Sequence, residues 1–228
     1  LLDMGLFQGR RAEVHHKNEV LPVDPHSVDA VVLSHAHIDH AGRLPYLIRR
    51  GYRGPVFTTP ATRDLCRVLL SDSAHIQEKD AEFLARRNRS YQEPLYDREH
   101  VNYTMRRMHP VPYRTRIEVA EGVWVELTDA GHILGSASVV LEWKDGSTPY
   151  RLGFSGDIGR KRLAIIRDPE PLANVHGLIM ESTYGNRMHA TVADARERLD
   201  ALLDRHAGDD GRLPGLRQPH PRRPDRYR

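Results

Sequence analysis

The stretch His35-Ala36-His37-Ile38-Asp39-His40 places four side chains able to bind a metal, His35, His37, Asp39 and His40, in one short loop. Few structural roles need that density. The run before it, Val28-Asp29-Ala30-Val31-Val32-Leu33, is short, apolar and β-branched, which predicts a buried strand delivering the loop to a sheet edge. After it, Pro45 suits the first turn of a helix whose apolar face is Leu44, Leu47 and Ile48. Imidazole and carboxylate donors suit Zn²⁺, Mn²⁺ or Fe²⁺, whereas a structural zinc site normally uses thiolates. Cys66 is the only cysteine, which excludes a closed cysteine site.

The chain has 14 histidines, so an isolated one carries little information. His15, His16, His26, His75, His100, His109, His176, His206 and His220 have no partner at ligand spacing and read as surface or satisfied core residues. His132 is different. It lies in Asp129-Ala130-Gly131-His132-Ile133-Leu134-Gly135-Ser136, after a stretch with Val123, Val125 and Leu127 on one face and Trp124, Glu126 and Thr128 on the other, the signature of a half-buried strand. Gly131 and Gly135 allow a tight turn beside a ligand. Asp157 follows another strand-like run, Tyr150-Arg151-Leu152-Gly153-Phe154. Imidazole or carboxylate thus recurs at three strand ends.

With these residues in place, the chain resembles the metallo-β-lactamase fold. Ser34 to His40 matches its signature, and His132 and Asp157 stand where later ligands belong. The resemblance implies that His35, His37 and His132 hold one metal and Asp39 and His40 the second, with Asp157 bridging them. The motifs Gly131-His132-Ile133-Leu134-Gly135-Ser136-Ala137, Phe154-Ser155-Gly156-Asp157-Ile158-Gly159 and Glu181-Ser182-Thr183-Tyr184-Gly185 resemble the β-CASP branch, whose members hydrolyse nucleic acids. The likeness covers about Leu1 to Gly208. It implies two divalent ions, most simply zinc, an RNA substrate, and a second ion held weakly because one of its ligands comes from a histidine of the β-CASP domain.

Two metals suit phosphodiester cleavage, because they activate water and stabilise charge on both attacking and leaving oxygens. Asp39 and Glu181 are the candidate catalytic carboxylates by this resemblance, Glu181 through that β-CASP histidine. Asp3, in Leu1-Leu2-Asp3-Met4-Gly5, is a candidate to accept a hydrogen bond from a ligand histidine and fix its tautomer; it reads equally as an acidic residue closing a strand. Family members often carry Cys where Met4 stands.

Length allows a full single-domain core. No apolar run approaches the roughly 20 residues of a membrane span, and the single cysteine agrees with a reducing, cytoplasmic setting. Leu1-Leu2-Asp3 begins inside what the family treats as a strand. Thr191 to His206 predicts an amphipathic helix, with Val192, Ala195, Leu199, Leu202 and Leu203 at three- and four-residue steps. Residues 211–228 hold six Arg and four Pro with little apolar content, so a disordered end is expected. That segment supplies +5 of the formal net charge of +3, leaving residues 1–210 at about −2. The basic isoelectric point therefore says nothing about an RNA-binding face on the folded body.

The expected architecture is α/β, a four-layer αββα sandwich with an incomplete N-terminal edge over residues 1–190, the first helix of a truncated β-CASP domain over 191–210, and the tail over 211–228. Leu65, Val68 and Leu69 predict one helix of the middle segment, and Ile76, Phe83 and Leu84 a second, followed by a polar stretch from Arg86 to His109. Lys144-Asp145-Gly146 predicts a hairpin. The leading function is a metal-dependent ribonuclease-type phosphodiesterase, impaired in a chain of this length. A thioester or lactone hydrolase of the same fold and a catalytically inactive fragment are the alternatives.

Overall fold

Alternation along Val31-Val32-Leu33 decides how the layers stack. Val31 and Leu33 enter one apolar cluster with Leu44, Leu47, Cys66 and Leu70, while Val32 enters a second with Val125, Leu127 and Val139. A strand buried on both faces lies between two packed layers. The computed structural model describes residues 1–9, 11–86, 93–186 and 191–207. Along the chain come α1 (Arg11–Glu19), β1 (Val31–Val32), α2 (Ile38–Ala41), α3 (Leu44–Arg49), β2 (Val56–Thr58), α4 (Pro60–Arg86), α5 (Arg98–Arg107), β3 (Met108–Pro110), β4 (Ile117–Ala120), β5 (Val123–Asp129), β6 (Ala137–Asp145), β7 (Thr148–Phe154), β8 (Gly177–Ile179) and α6 (Val192–Ala207).

β1, β2 and β3 form a three-stranded parallel sheet, and β4 to β8 a five-stranded sheet that is antiparallel except for the β7–β8 pair. The first cluster joins α3, α4 and α5 to the small sheet; the second joins the two sheets. These are the α, β and β layers of the expected sandwich. Leu2 adds a parallel bridge beside Val32, so the first residues of the chain run along β1.

The expected pattern on β5 is present, with Val125 and Leu127 buried and Trp124, Glu126 and Thr128 partly exposed. The expected hairpin joins β6 to β7 with Asp145 paired to Thr148 and Gly146 at φ 61°. In the middle of the chain the sequence predicts two helices, but the structure has one, α4, of 27 residues. Nothing from Ser71 to His75 breaks it, and Leu70, Ala74 and Ala81 continue one buried stripe. The polar stretch that follows holds α5 and β3, elements the sequence reading does not resolve. α5 begins where Asp97 accepts a hydrogen bond from the His100 amide at 3.0 Å.

Packing divides the chain into two units, Leu1–Glu181 and Ser182–Arg228. In the second, Thr191 and Asp194 exchange side-chain-to-amide hydrogen bonds of 3.1 Å each, a capping box that starts α6 one residue after the predicted Thr191. The expected disorder of residues 211–228 lies outside the described residues.

Candidate metal centre

The polypeptide folds the His35–His40 motif by ending β1 and turning at once into the single-turn helix α2, with His37 at its start. Met4 N donates to His40 O at 2.7 Å and Leu6 N to Ile38 O at 2.9 Å, so the N-terminal segment braces this turn from outside. His132 comes from the other sheet. Its turn closes on Ser136, whose Oγ accepts from the amides of His132 and Ile133 at 3.0 and 3.2 Å. Gly135 O accepts from Thr59 Oγ1 at 2.7 Å and Thr62 Oγ1 at 2.8 Å, which ties the turn to the start of α4. Gly135 has φ 81°, and a Cβ there would lie 2.5 Å from Thr62 N, so only glycine serves.

These two turns and the loop after β7, which carries Asp157, bring four donors together. One donor atom from each of His35, His37, His132 and Asp157 lies within 4.8 Å of all the others. His37 Nδ1 is 3.0 Å from His35 Nε2 and 3.2 Å from His132 Nε2, while Asp157 Oδ2 is 3.6 Å and 3.4 Å from those same Nε2 atoms. Tetrahedral ligands at zinc distances stand about 3.3–3.4 Å apart, so the spacing of this donor set fits a divalent ion. The other oxygen of Asp157, Oδ1, lies 3.2 Å from His40 Nε2. One carboxylate thus faces His35 and His132 on one side and His40 on the other.

Two of the rings are oriented from behind. His40 Nδ1 donates to Asp3 Oδ2 at 2.7 Å, which leaves Nε2 free toward Asp157. His35 Nδ1 lies 3.0 Å from Ser34 Oγ, which donates to the same Asp3 Oδ2 at 2.7 Å. Ser34 N also donates to Asp3 Oδ1 at 2.7 Å. The relay through Ser34 has no counterpart in the sequence reading; its position immediately before the first motif histidine is the signal that could have shown it.

Electrostatics keep the inner histidines neutral. Burial, reinforced by the charges of His40, His37 and His132, pushes His35 down to about 2. Burial, then His132, also lowers His37. For His40 burial opposes the charge, but the hydrogen bond and charge of Asp3, with Asp157 and Asp39, outweigh it and raise the pKa. Neutral imidazole is the form that donates to a metal.

The remaining candidates lie around this cluster. Asp39 is exposed and outside the four-donor group; with Asp3, His40 and Arg43 it faces a cleft of about 630 Å³. Its negative charge acts on both His37 and His40. Glu181, just beyond β8, accepts from the Ile158 amide at 2.6 Å through Oε1 and donates its own amide to Ser155 Oγ at 3.1 Å, so it braces the loop that carries Asp157.

Residues 1–52 match the Metallo-beta-lactamase superfamily. The chain is 34% identical over 222 residues to Ribonuclease TTHA0252 of Thermus thermophilus, covering 93% of this chain and 44% of that protein. The chain is a metallo-β-lactamase superfamily member. It is also 35% identical over 182 residues to Transcription termination factor FttA of Methanothermobacter thermautotrophicus, covering 78% of this chain and 26% of the factor. Against FttA of Pyrococcus abyssi the identity is 33% over 183 residues. The superfamily match ends shortly after the His35–His40 motif, whereas the likeness to the ribonuclease extends over the His132 and Asp157 turns as well. The chain spans less than half the length of these relatives. No helix among the described residues is long and apolar enough to cross a membrane.

Proposed function

We propose that this chain carries the metal centre of a hydrolase that cleaves RNA phosphodiester bonds, of the β-CASP type. The observation that carries the reading is the Asp157 carboxylate, placed between His35 and His132 on one oxygen and His40 on the other. A carboxylate so placed can serve two neighbouring divalent positions at once. On this reading His35, His37, His132 and Asp157 hold one ion, and Asp157, His40 and Asp39 the other, most simply both zinc. Bound there, divalent ions supply Lewis acidity for activating water and neutralising phosphate charge. The protein's own part is orientation: Asp3 and Ser34 hold His40 and His35 in the tautomers that present Nε2, and Glu181 holds the loop behind Asp157. The exposed carboxylate of Asp39 faces the cleft and is the group best placed to guide a proton from water. The names of the relatives, a ribonuclease and termination factors, support RNA over a thioester or lactone. A cytoplasmic setting agrees with a lone, buried, unpaired cysteine.

The test is to incubate the zinc-loaded chain with single-stranded RNA and, separately, with a thioester and a lactone. Slow, chelator-sensitive RNA cleavage that disappears with Asp157→Asn is expected. Thioester turnover lost in His35→Ala, with RNA untouched, would overturn the assignment.

A further inference from the structure

The loop that leaves Asp157 carries three consecutive cations, Arg160-Lys161-Arg162, with Arg167 a short way on. A run of surface charge is ordinarily just solvated, but three observations set this one apart. The first is its mooring. Gly159 N donates to Ala130 O at 2.9 Å, and a Cβ at Gly159 would collide with Gly131 O, so the loop starts directly against the turn that presents His132. It also ends there: Pro169 packs against Gly131, and Glu170 N donates to Asp129 O at 2.8 Å. Between these ends Arg162 N donates to Asp168 Oδ1 at 2.6 Å, closing the excursion on itself.

The second observation is pairing. Arg49, Arg86, Arg114, Arg116 and Arg151 each meet a glutamate within 4 Å, whereas single exposed arginines such as Arg67 and Arg98 do not; the loop is distinct in carrying three such cations in a row. Among the described residues, Arg160, Lys161 and Arg162 are exposed and form no ion pair. The third is the field around the site. Divalent ions held by the ligand set would offset the charge of Asp3, Asp39 and Asp157, so the metal centre itself does not repel a polyanion. The uncompensated cations of the neighbouring loop add positive charge directly beside it. Arg160 is three residues from Asp157, a span of at most about 11 Å.

We propose that Arg160, Lys161 and Arg162 grip the phosphate backbone of a single-stranded RNA next to the metal centre, positioning the strand without reading its bases. This rests on the RNA-cleaving reading above. The test compares the wild-type chain with the triple variant R160Q/K161Q/R162Q and the charge-preserving R160K/R162K. All keep the same Arg-rich C-terminal residues, so nonspecific attraction from those is constant. Binding of a labelled single-stranded RNA to the zinc-loaded chain is read by anisotropy across a salt series, before measurable cleavage. Hydrolysis of bis(p-nitrophenyl) phosphate, which has a single phosphate and no flanking backbone to grip, is read in parallel.

Each phosphate left without its cation should flatten the slope of log affinity against log salt by about 0.7, so the slope of the triple variant should fall by about 2 while R160K/R162K keeps the wild-type slope. Hydrolysis of the small diester should not change. An unaltered slope with intact diester hydrolysis overturns the grip and leaves the proposed function standing. Loss of diester hydrolysis along with the slope would show the loop acting through the metal site and also overturns the grip. A wild-type chain that neither binds RNA nor hydrolyses the diester overturns both.

Discussion

Asp3 holds His40 through a 2.7 Å hydrogen bond from ring Nδ1 to carboxylate Oδ2, across 37 residues of sequence. The same oxygen receives Ser34 Oγ, so one carboxylate sets two rings. Asp3 sits at φ 54°, a left-handed conformation that Asn also tolerates. Asp3→Asn should therefore keep the backbone turn, but its NH2 must face one of the donors that the carboxylate accepts, and metal binding should weaken by about 10- to 100-fold, as expected when an outer carboxylate partner of a ligand histidine is removed. Competition against a chromogenic chelator measures this; an unchanged affinity would remove Asp3 from the site.

Zinc should raise the thermal midpoint of the wild-type chain. At a free concentration one hundred times Kd the gain is about 2.7 kcal/mol, equivalent to roughly 5–10 °C for a protein of this size. His132→Ala removes a partly exposed donor whose turn is fixed by Ser136 and Gly135, so the apo protein should melt close to wild type while the zinc-induced rise largely disappears. A full rise in His132→Ala would place the ion elsewhere.

Gly135→Ala tests the grip of α4 on the His132 turn. At φ 81°, with Thr62 N only 2.5 Å from the new Cβ, the substitution should cost about 1–3 kcal/mol and shift His132 enough to weaken metal binding. Denaturant unfolding and zinc titration on the same sample read both effects. Wild-type values for both would mean the turn adapts freely.

Cys66 is buried in α4, and desolvation pushes its thiol up to about 12. Its folded pKa thus exceeds the unfolded value of about 8.5. The stabilisation from a neutral buried thiol is complete below about pH 8.5 and declines as pH rises toward 12. At pH 8 a thiol-specific reagent should leave the native protein unmodified and label one thiol after unfolding in guanidinium. Rapid labelling of the native chain would show that α4 opens readily.

The candidate metal site was legible because its chemistry is local: His35, His37, Asp39 and His40 stand out by spacing alone, and His132 and Asp157 by recurrence at strand ends. What spacing could not give was which donors share a point. Asp39 lies in the motif yet stands exposed outside the four-donor cluster, on the cleft it shares with Asp3 and His40. In the fold, β5 and the β6–β7 hairpin followed from alternation and turn chemistry. α5 did not, because Arg98-Glu99-His100 and Arg106-Arg107 hide a buried stripe of only Val101, Thr104 and Met105. The continuity of α4 was hidden for a related reason: Ser71 to Ser73 look like a break, and only packing shows that Leu70 and Ala74 span it.

The donors also come from opposite sheets. His35, His37 and His40 follow β1, whereas His132 and Asp157 follow β5 and β7, and the 3.2 Å approach of His37 to His132 joins residues 95 apart in sequence. Closing a loop of that length costs entropy that only the finished sandwich repays. A zinc finger can use its ion to nucleate folding, because its ligands are close in sequence. Here the ligand set does not exist until both sheets have docked. Metal should therefore slow unfolding of this chain while leaving its folding rate almost unchanged.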